Sequence, residues 1–240
     1  MSFKHNFHPS ILREYDIRGI VGETLHVEDA LAVGKAFGSA VRRKGGARVC
    51  VGYDGRLSSP EMEDALVEGV VSTGLDVERI GRGPTPMLYF ATFAGNADGG
   101  VMVTGSHNPP SHNGFKMMMG RKPFFGGDIR QLGEMASAGD IEVGKGAVKE
   151  SPVFDRYVER LLQDYDGTRE LTVVWDPGHG AGAEAVSELV KRLPGRHVVL
   201  NGVIDGTFPA HHPDPTVPEN LEQLISRVRA ESADVGFAFD

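Results

Sequence analysis

The chain has 240 residues, of which 40% are hydrophobic and 24% charged, and this composition is that of an ordinary globular protein with a packed core. Its formal net charge is −8 and its pI is near 5.6, so its long-range field repels nucleic acid, membrane surfaces and phosphorylated metabolites. We therefore expect no nucleic-acid or membrane partner, and an anionic ligand requires local cations.

The amino terminus and the cysteine content indicate the compartment. The first ten residues, MSFKHNFHPS, lack the apolar stretch of a signal peptide, and no apolar run approaches the length of a membrane span. Cys50 is the only cysteine and lies in the apolar run ARVCVGYD, which predicts a reduced core thiol and not a nucleophile. We expect a cytoplasmic enzyme or binding protein.

Short apolar runs alternate with amphipathic stretches along the chain, which is typical of βα units around a mostly parallel sheet. Apolar residues recur at helical spacing in 26–43, and Ser59-Pro60 and Thr85-Pro86 each predict a helix start with the first residue as N-cap. The predicted strands are, in chain order, ARVCVGYD, DVERIG, GGVMVTG, LTVVWD, HVVLNG and DVGFAF.

The chain changes character between residues 136 and 151, where ASAGDIEVGKGAVKES is small and mixed in charge. A helix is predicted to begin at Ser151-Pro152. We therefore expect two successive three-layer α/β/α domains with mixed, mostly parallel sheets, the first over residues 1–146 and the second over 151–240.

The stretch VMVTGSHNPP places Ser106 directly after a buried strand, at the sheet edge where open α/β proteins bind ligands. A Ser/Asn/Pro cluster is also typical of a loop that only caps the next segment. Acyl transfer with His107 as base is disfavoured, because neighbouring residues in extended chain point to opposite sides and the G-x-S-x-G elbow is absent. Phosphoryl transfer needs cations, and Arg13, Arg18 and Lys116 supply them unless they are solvated surface charges.

Four motifs carry a resemblance to a known family. They are REYDIRG at 13–19, TGSHNPPSHNGFK at 104–116, FPAHHPDPTVPENL at 208–221 and the closing GFAFD. Together they resemble the α-D-phosphohexomutase superfamily, in its bacterial phosphomannomutase/phosphoglucomutase branch, nearly from end to end. Relatives that act on glucosamine phosphate carry an alanine before the serine, so Gly105 favours the mannose/glucose branch.

The resemblance implies an isomerase of carbohydrate metabolism that moves phosphate reversibly between O1 and O6 of a hexose phosphate, mannose or glucose. It implies a phosphoserine at Ser106, a hexose 1,6-bisphosphate that serves as both intermediate and activating donor, and Mg²⁺ as metal cofactor.

The same resemblance assigns roles to individual residues. It implies four catalytic residues, which are Ser106, Lys116, Arg18 and His107. Lys116 is also a candidate acid/base partner. Tyr15 is implied to line the substrate site, and Asn108 to belong with His107 to the phosphoserine loop. Asp240 matches the first ligand of the metal loop D-G-D-x-D-R, and Ser106 joins the metal through its phosphoryl group.

The chain ends at Asp240, where that metal loop begins in the family. We therefore expect the C-terminal half of the family fold to be absent, and the 240-residue chain to be inactive alone. The alternative is a non-catalytic phosphosugar-binding or phosphoprotein module, and the continuation of the gene product past Asp240 with G-D-x-D-R distinguishes the two.

Geometry gives one further expectation for this metal site. If Ser106 and Asp240 share a metal, the strand ends that carry them meet, with Ser106 Oγ roughly 5 to 8 Å from the carboxylate.

Two other polar clusters favour structural roles. WDPGHGAGAE at 175–184 lacks both phosphate-loop signatures and predicts a strand-to-helix turn. AHHPDP contains His211, His212 and Asp214, but neighbouring histidines seldom converge on one metal and the prolines indicate a rigid loop, so we expect no zinc site there.

Overall fold

The computed structural model describes residues 3–240 and divides the chain into two compact units. The first unit contains the described residues through Gly105 together with Ser111–Val153, and the second contains Ser106–Pro110 and Phe154–Asp240. The loop that carries Ser106 therefore leaves the first unit and returns to it.

The first unit is built on a seven-stranded sheet in the order β1-β5-β4-β2-β3-β7, with β6 beside β5. Strands β4, β2, β3 and β7 run parallel to one another, whereas β5 is antiparallel to β4, β1 and β6. Its strands are β1 (Ile17–Ile20), β2 (Arg48–Tyr53), β3 (Asp76–Arg82), β4 (Gly99–Val103), β5 (His112–Met119), β6 (Lys122–Phe124) and β7 (Val148–Glu150).

Helices cover both faces of this sheet. They are α1 (Val27–Arg43), α2 (Ser59–Val71), α3 (Thr85–Gly95) and α4 (Gly127–Ala138). Gly99 lies against Phe37 of α1, whereas its neighbour Gly100 lies against Leu88 of α3. Because successive strand residues face opposite sides, α1 and α3 lie on opposite faces, and every residue of β4 is buried.

The second unit has a three-stranded parallel sheet in the order β10-β8-β9. Its strands are β8 (Leu171–Asp176), β9 (Gly195–Val199) and β10 (Val235–Ala238), and its helices are α5 (Phe154–Gln163), α6 (Ala183–Val190) and α7 (Glu222–Ala230), with a 3-10 turn at Pro218–Leu221. Leu224 and Val228 of α7 pack against Gly236 of β10. The predicted fold class, α/β with mixed sheets in which parallel pairs predominate, is confirmed.

The boundary between the units falls later than the expected start at residue 151. Strand β7 pairs with β3, and the backbone N–H of Val153 donates to the carbonyl of Ile80 at 3.2 Å. These bonds keep residues 147–153 in the first unit, and α5 begins at Phe154 instead of Ser151. Within this stretch, residues 148–150 form the edge strand β7 of the first sheet.

Both predicted N-caps are displaced by one residue. Helix α2 begins at Ser59 with Ser58 as N-cap, and α3 begins at Thr85 with Pro84 as N-cap. The hydroxyl of Ser59 instead donates to the carboxylate of Asp54 and accepts a hydrogen bond from the side-chain amide of Asn113. The core-thiol prediction is confirmed, since Cys50 is buried and burial raises the pKa of its thiol to about 11.

No helix within residues 3–240 is both long and apolar enough to cross a lipid bilayer.

A buried carboxyl in the first unit makes stability depend on pH. The Glu63 side chain is 4% exposed, and its Oε2 accepts a hydrogen bond from Arg79 at 2.8 Å while Oε1 has no partner in the structure. Burial raises the pKa of this carboxyl from 4.5 to about 7 despite the opposing charge of Arg79. The native state therefore holds the Glu63 proton more tightly than the unfolded chain does.

We predict that Glu63→Gln becomes progressively more stable than the wild type as pH rises from about 4.5 to 7, the window between the unfolded and folded pKa values. The wild type pays for ionising a buried carboxyl in this window, whereas glutamine does not titrate. The relative gain between pH 5 and 8 is on the order of 2 kcal/mol. Urea unfolding of both proteins across this range measures it, and a difference independent of pH contradicts the prediction.

Candidate functional site

Ser106 lies in a strained backbone conformation just past the carboxyl end of β4. Its φ is 51°, in the left-handed region that non-glycine residues seldom adopt. Such a conformation costs on the order of 1 to 3 kcal/mol and persists only where the surroundings hold it in place. The contacts around the loop therefore hold the Ser106 backbone in this conformation, which fixes the direction of the hydroxyl.

The Ser106 hydroxyl and the His107 ring meet the carboxylate of Asp240 in the second unit. Ser106 Oγ donates to Oδ1 at 3.3 Å, and His107 Nδ1 lies 3.0 Å from Oδ2. Asp240 follows β10, so it stands at the carboxyl end of a parallel strand. The expectation that β10 ends beside Ser106 is confirmed.

The expected separation of roughly 5 to 8 Å between Ser106 Oγ and the carboxylate is wrong. That estimate left room for an ion and a phosphoryl group, whereas the hydroxyl binds the carboxylate directly at 3.3 Å.

His107 has a second acidic neighbour. Hydrogen bonds from Thr216, those of its side chain first, lower the pKa of Asp214, and the nearby charges of His107 and His212 lower it further. His107 thus contacts Asp240 and lies within range of the Asp214 carboxylate. With its Nδ1 engaged by Asp240, His107 is a polar partner of the carboxylate and not an isolated loop histidine.

The oxygen donors at this point fit part of a site for a hard cation. A carboxylate oxygen of Asp240 and Ser106 Oγ are the ligand type that Mg²⁺ prefers, and Mg²⁺ commonly keeps several waters beside one or two carboxylates. Over residues 3–240, no group of three or more His, Cys, Asp or Glu side chains is placed to hold a metal ion. At this point the described residues offer one carboxylate and one hydroxyl oxygen.

Arg18 and Lys116 lie on paired strands of the first unit. Arg18 of β1 stands opposite Gly114 of β5, and Lys116 stands two residues further along β5 on the same face. The Arg18 side chain is only 14% exposed and binds the carboxylate of Asp16. Arg18 is therefore not a solvated surface charge, and Lys116 is half-buried.

A positive field surrounds His112 at the start of β5. Desolvation, followed by the charges of Arg56, Arg13 and Arg18, lowers the pKa of its imidazole. The local cations that an anionic ligand requires are therefore grouped at this edge of the first unit, although the whole chain is acidic. His112 and Arg56 were not singled out by the sequence.

Asp54 and Arg56 form a buried ion pair at the carboxyl end of β2. Arg56 Nε donates to Asp54 Oδ2 at 3.2 Å, and the arginine side chain is 1% exposed. Since β2 is parallel to β4, the rule that placed Ser106 at the functional edge also places YDGR at 53–56 there. That position is the signal by which the sequence could have revealed the pair.

The two remaining predicted site residues are Tyr15 and Asn108. Tyr15 follows no strand and is 78% exposed, which leaves its ring available to a ligand. Asn108 lies in the Ser106 loop and is half-buried.

The two polar clusters interpreted as structural have structural contacts. The strand-to-helix turn after β8 is confirmed, with Gly178 at φ 54° and α6 beginning at Ala183. His211 Nε2 lies 3.0 Å from the buried carboxylate of Asp176, which also accepts a hydrogen bond from Asn201 at 2.8 Å. This contact joins the AHHPDP loop to the end of β8.

Comparison with known proteins finds matches over most of the chain. Residues 9–132 match the family model for phosphoglucomutase/phosphomannomutase, alpha/beta/alpha domain I, and residues 155–240 match that for domain II. The chain is similar to a phosphomannomutase/phosphoglucomutase of Pseudomonas aeruginosa, with 42% identity over 96% of this chain and 50% of that protein. It is also similar to a phosphoglucomutase of Neisseria meningitidis serogroup B, with 40% identity over 96% of this chain and 50% of that protein.

A solved structure gives the same result. The crystal structure of a phosphoglucomutase/phosphomannomutase family protein from Burkholderia thailandensis superposes with a TM-score of 0.93 at 43% identity, covering 98% of this chain and 53% of that one. The chain spans about half the length of the curated relatives that it matches.

We predict that Ser106→Gly is more stable than Ser106→Ala by about 1 kcal/mol, because both variants lose the hydroxyl but only alanine keeps the left-handed strain. Thermal and urea unfolding of the two variants measure the difference. Equal stability, or a more stable alanine variant, contradicts the assignment of strain at this position.

Proposed function

Because the chain belongs to the phosphoglucomutase/phosphomannomutase family, we propose that the protein is a phosphohexomutase that moves phosphate reversibly between O1 and O6 of mannose or glucose phosphate. The observation that supports this most directly is the strained Ser106, whose hydroxyl contacts Asp240 at the carboxyl end of a strand. We propose a cytoplasmic metabolic enzyme with a hexose phosphate as its substrate.

The proposed reaction has two phosphoryl transfers through Ser106. In the first, the bond from phosphorus to Ser106 Oγ breaks, a bond to the free sugar hydroxyl forms, and that hydroxyl loses its proton. The product is a hexose 1,6-bisphosphate, and the same compound activates unphosphorylated enzyme. In the second transfer, the other phosphate returns to Ser106 Oγ and its sugar oxygen regains a proton, so phosphate and protons balance over the cycle.

The contacts of Ser106 suit this role. A carboxylate 3.3 Å from the hydroxyl can accept its proton when Ser106 attacks the bisphosphate. His107 pairs with the other oxygen of Asp240 and holds that carboxylate in orientation. Asp240 and a phosphoryl group on Ser106 would hold Mg²⁺, which would neutralise charge on the transferring group.

Cations of the first unit serve the same transfer. Arg18 is held in place by Asp16, so its guanidinium is pre-oriented and loses little freedom when it binds a phosphoryl oxygen. Lys116 carries an ammonium with three donors, which suits it to stabilise charge and to exchange a proton with the sugar hydroxyl. Tyr15, through its exposed ring, and Asn108, in the phosphoserine loop, are proposed to contact the sugar phosphate.

We predict that Ser106→Ala abolishes phosphorylation by glucose 1,6-bisphosphate and mutase turnover while the protein remains folded. The alanine variant lacks the only oxygen that the proposed reaction phosphorylates. Peptide mass spectrometry of the complete gene product locates the phosphate, and coupled assays with mannose 1-phosphate and glucose 1-phosphate measure turnover.

Ser111→Ala is the matched control, because it removes an exposed hydroxyl five positions further along the same motif. Phosphate found reproducibly on another residue, with the Ser106 variant fully active, would overturn the assignment. Binding of the sugar phosphate by the wild type without any turnover would favour the non-catalytic module instead.

We predict that Lys116→Met and Arg18→Gln each lower kcat/KM by a factor of roughly 10² or more, because each removes a charge that stabilises the transition state. Arg18→Gln also lowers the unfolding temperature, since it leaves the buried carboxylate of Asp16 without its cation. Lys122→Met, at an exposed position on β6, is the control that leaves kinetics unchanged. Near-normal kinetics in both site variants contradict the proposed roles.

A further inference from the structure

The loop that carries Ser106 is held at both of its ends by one buried ion pair. On the incoming side, the backbone N–H of Gly105 donates to Asp54 Oδ2 at 3.2 Å. On the outgoing side, Arg56 Nη1 donates to the carbonyl of His112 at 3.1 Å. The pair thus holds the chain on both sides of residues 106–110, the segment that leaves the first unit.

The ion pair is itself fixed to the scaffold. Arg56 donates to Asp54 through its backbone N–H at 3.0 Å as well as through Nε. The Ser59 hydroxyl, at the start of α2, donates to Asp54 Oδ1, and the side-chain amide of Asn113 donates to Ser59 Oγ at 3.0 Å. A charge pair with this many hydrogen bonds in a buried setting has little freedom to move.

The position of Gly105 also depends on this arginine. A Cβ atom added at residue 105 would lie 2.4 Å from both Cζ and Nε of Arg56 and 2.8 Å from the carbonyl oxygen of His112. Real Cβ contacts of this length do not occur, and a guanidinium that is 1% exposed has no space into which it can retreat. The guanidinium therefore packs directly on the residue that precedes Ser106.

We propose that Asp54 and Arg56 are positioning residues for phosphoryl transfer, which fix the height and direction of the Ser106 hydroxyl by clamping both ends of its loop. This inference rests on the proposed function for the identity of the transferred group. In this proposal neither side chain contacts the sugar or the phosphate. Their effect on catalysis passes through the loop backbone.

The clamp explains how a non-glycine residue keeps a left-handed φ at position 106. Strain of this kind is retained only where both flanking segments are held, and these two hydrogen bonds hold them. Misplacement of a reacting atom by about 1 Å costs on the order of 10² in rate, so a loosened clamp lowers kcat without removing a substrate contact.

The kinetic test compares Arg56→Lys and Arg56→Met with the wild type in the complete gene product. We expect kcat to fall about 10²-fold in the methionine variant, with KM within about threefold of the wild-type value, because ground-state binding groups are intact. The lysine variant keeps the buried charge but loses the fork that reaches both Asp54 and His112, so it recovers stability and only part of kcat. Gly105→Ala keeps both charged side chains but places a methyl group against the same guanidinium, so it displaces the loop or the arginine and lowers kcat.

A second measurement does not depend on turnover. Amide hydrogen exchange of Gly105 and of residues 106–111 is measured in the wild type, Arg56→Lys and Asp54→Asn. We expect exchange in this loop to be at least about tenfold faster in both variants, since each weakens a bond that holds an end of the loop. Arg79→Met, which breaks the Arg79–Glu63 ion pair elsewhere in the first unit, is the control and leaves loop exchange unchanged.

The outcomes separate this inference from the proposed function. A wild type phosphorylated on Ser106, with normal kcat and normal loop exchange in folded Arg56→Lys and Gly105→Ala, overturns the clamp and leaves the mutase proposal standing. A raised KM at unchanged kcat also overturns it, because that result assigns Arg56 to substrate binding. A wild type that glucose 1,6-bisphosphate does not phosphorylate overturns the proposed function, and the positioning role for phosphoryl transfer with it.

Discussion

The Asp54 carboxylate is the interaction on which the arrangement of the first unit's functional edge depends. It accepts hydrogen bonds from the Gly105 backbone, the Arg56 side chain and the Ser59 hydroxyl, which belong to three different segments. A buried carboxylate without such donors carries a large desolvation cost, so each partner is needed for the charge to remain. One side chain thereby ties the end of β2, the start of α2 and the end of β4 together.

Positive charge is concentrated in one part of the first unit, although the chain as a whole is acidic. The protein has a net charge of −8, yet Arg13, Arg18 and Arg56 all act on His112 at one edge of the first sheet. In the second unit, the Asp240 carboxylate contacts the His107 ring, and the charge of His107 lowers the pKa of Asp214. Cations thus gather at one edge of the first unit although the whole chain is acidic.

Elements with strong local signals were predicted correctly, and elements defined by pairing were not. The six predicted strands are all present, because each is an apolar run that ends in turn residues. Strands β1, β5, β6 and β7 were not predicted. The run His112–Met119 begins with polar residues, and Val148–Glu150 is exposed along its length. Their strand conformation comes from hydrogen bonds to the neighbouring strands β4 and β3, which a local pattern does not report.

The N-cap displacements have the same origin. Ser59 is a residue type that commonly caps helices, but its hydroxyl donates a hydrogen bond to the Asp54 carboxylate. That contact exists only once β2 and α2 are packed together. Similarly, the 5 to 8 Å expectation for Ser106 and Asp240 followed from coordination distances alone. Those distances give no information on the left-handed backbone at Ser106 or on the direct hydrogen bond from its hydroxyl to the carboxylate.

By itself, the sequence determined the α/β class, the family through its motifs, and the position of Ser106 at a strand's carboxyl end, because apolar runs, turn residues and short motifs are local properties. Only the tertiary structure decided that Arg18 is held by Asp16, that Asp240 meets Ser106 and His107, and that Asp54 and Arg56 hold the serine loop. The physical reason is that these contacts join segments as far as 134 positions apart in the chain. Their energies depend on burial and geometry, which exist only after the sheets have formed.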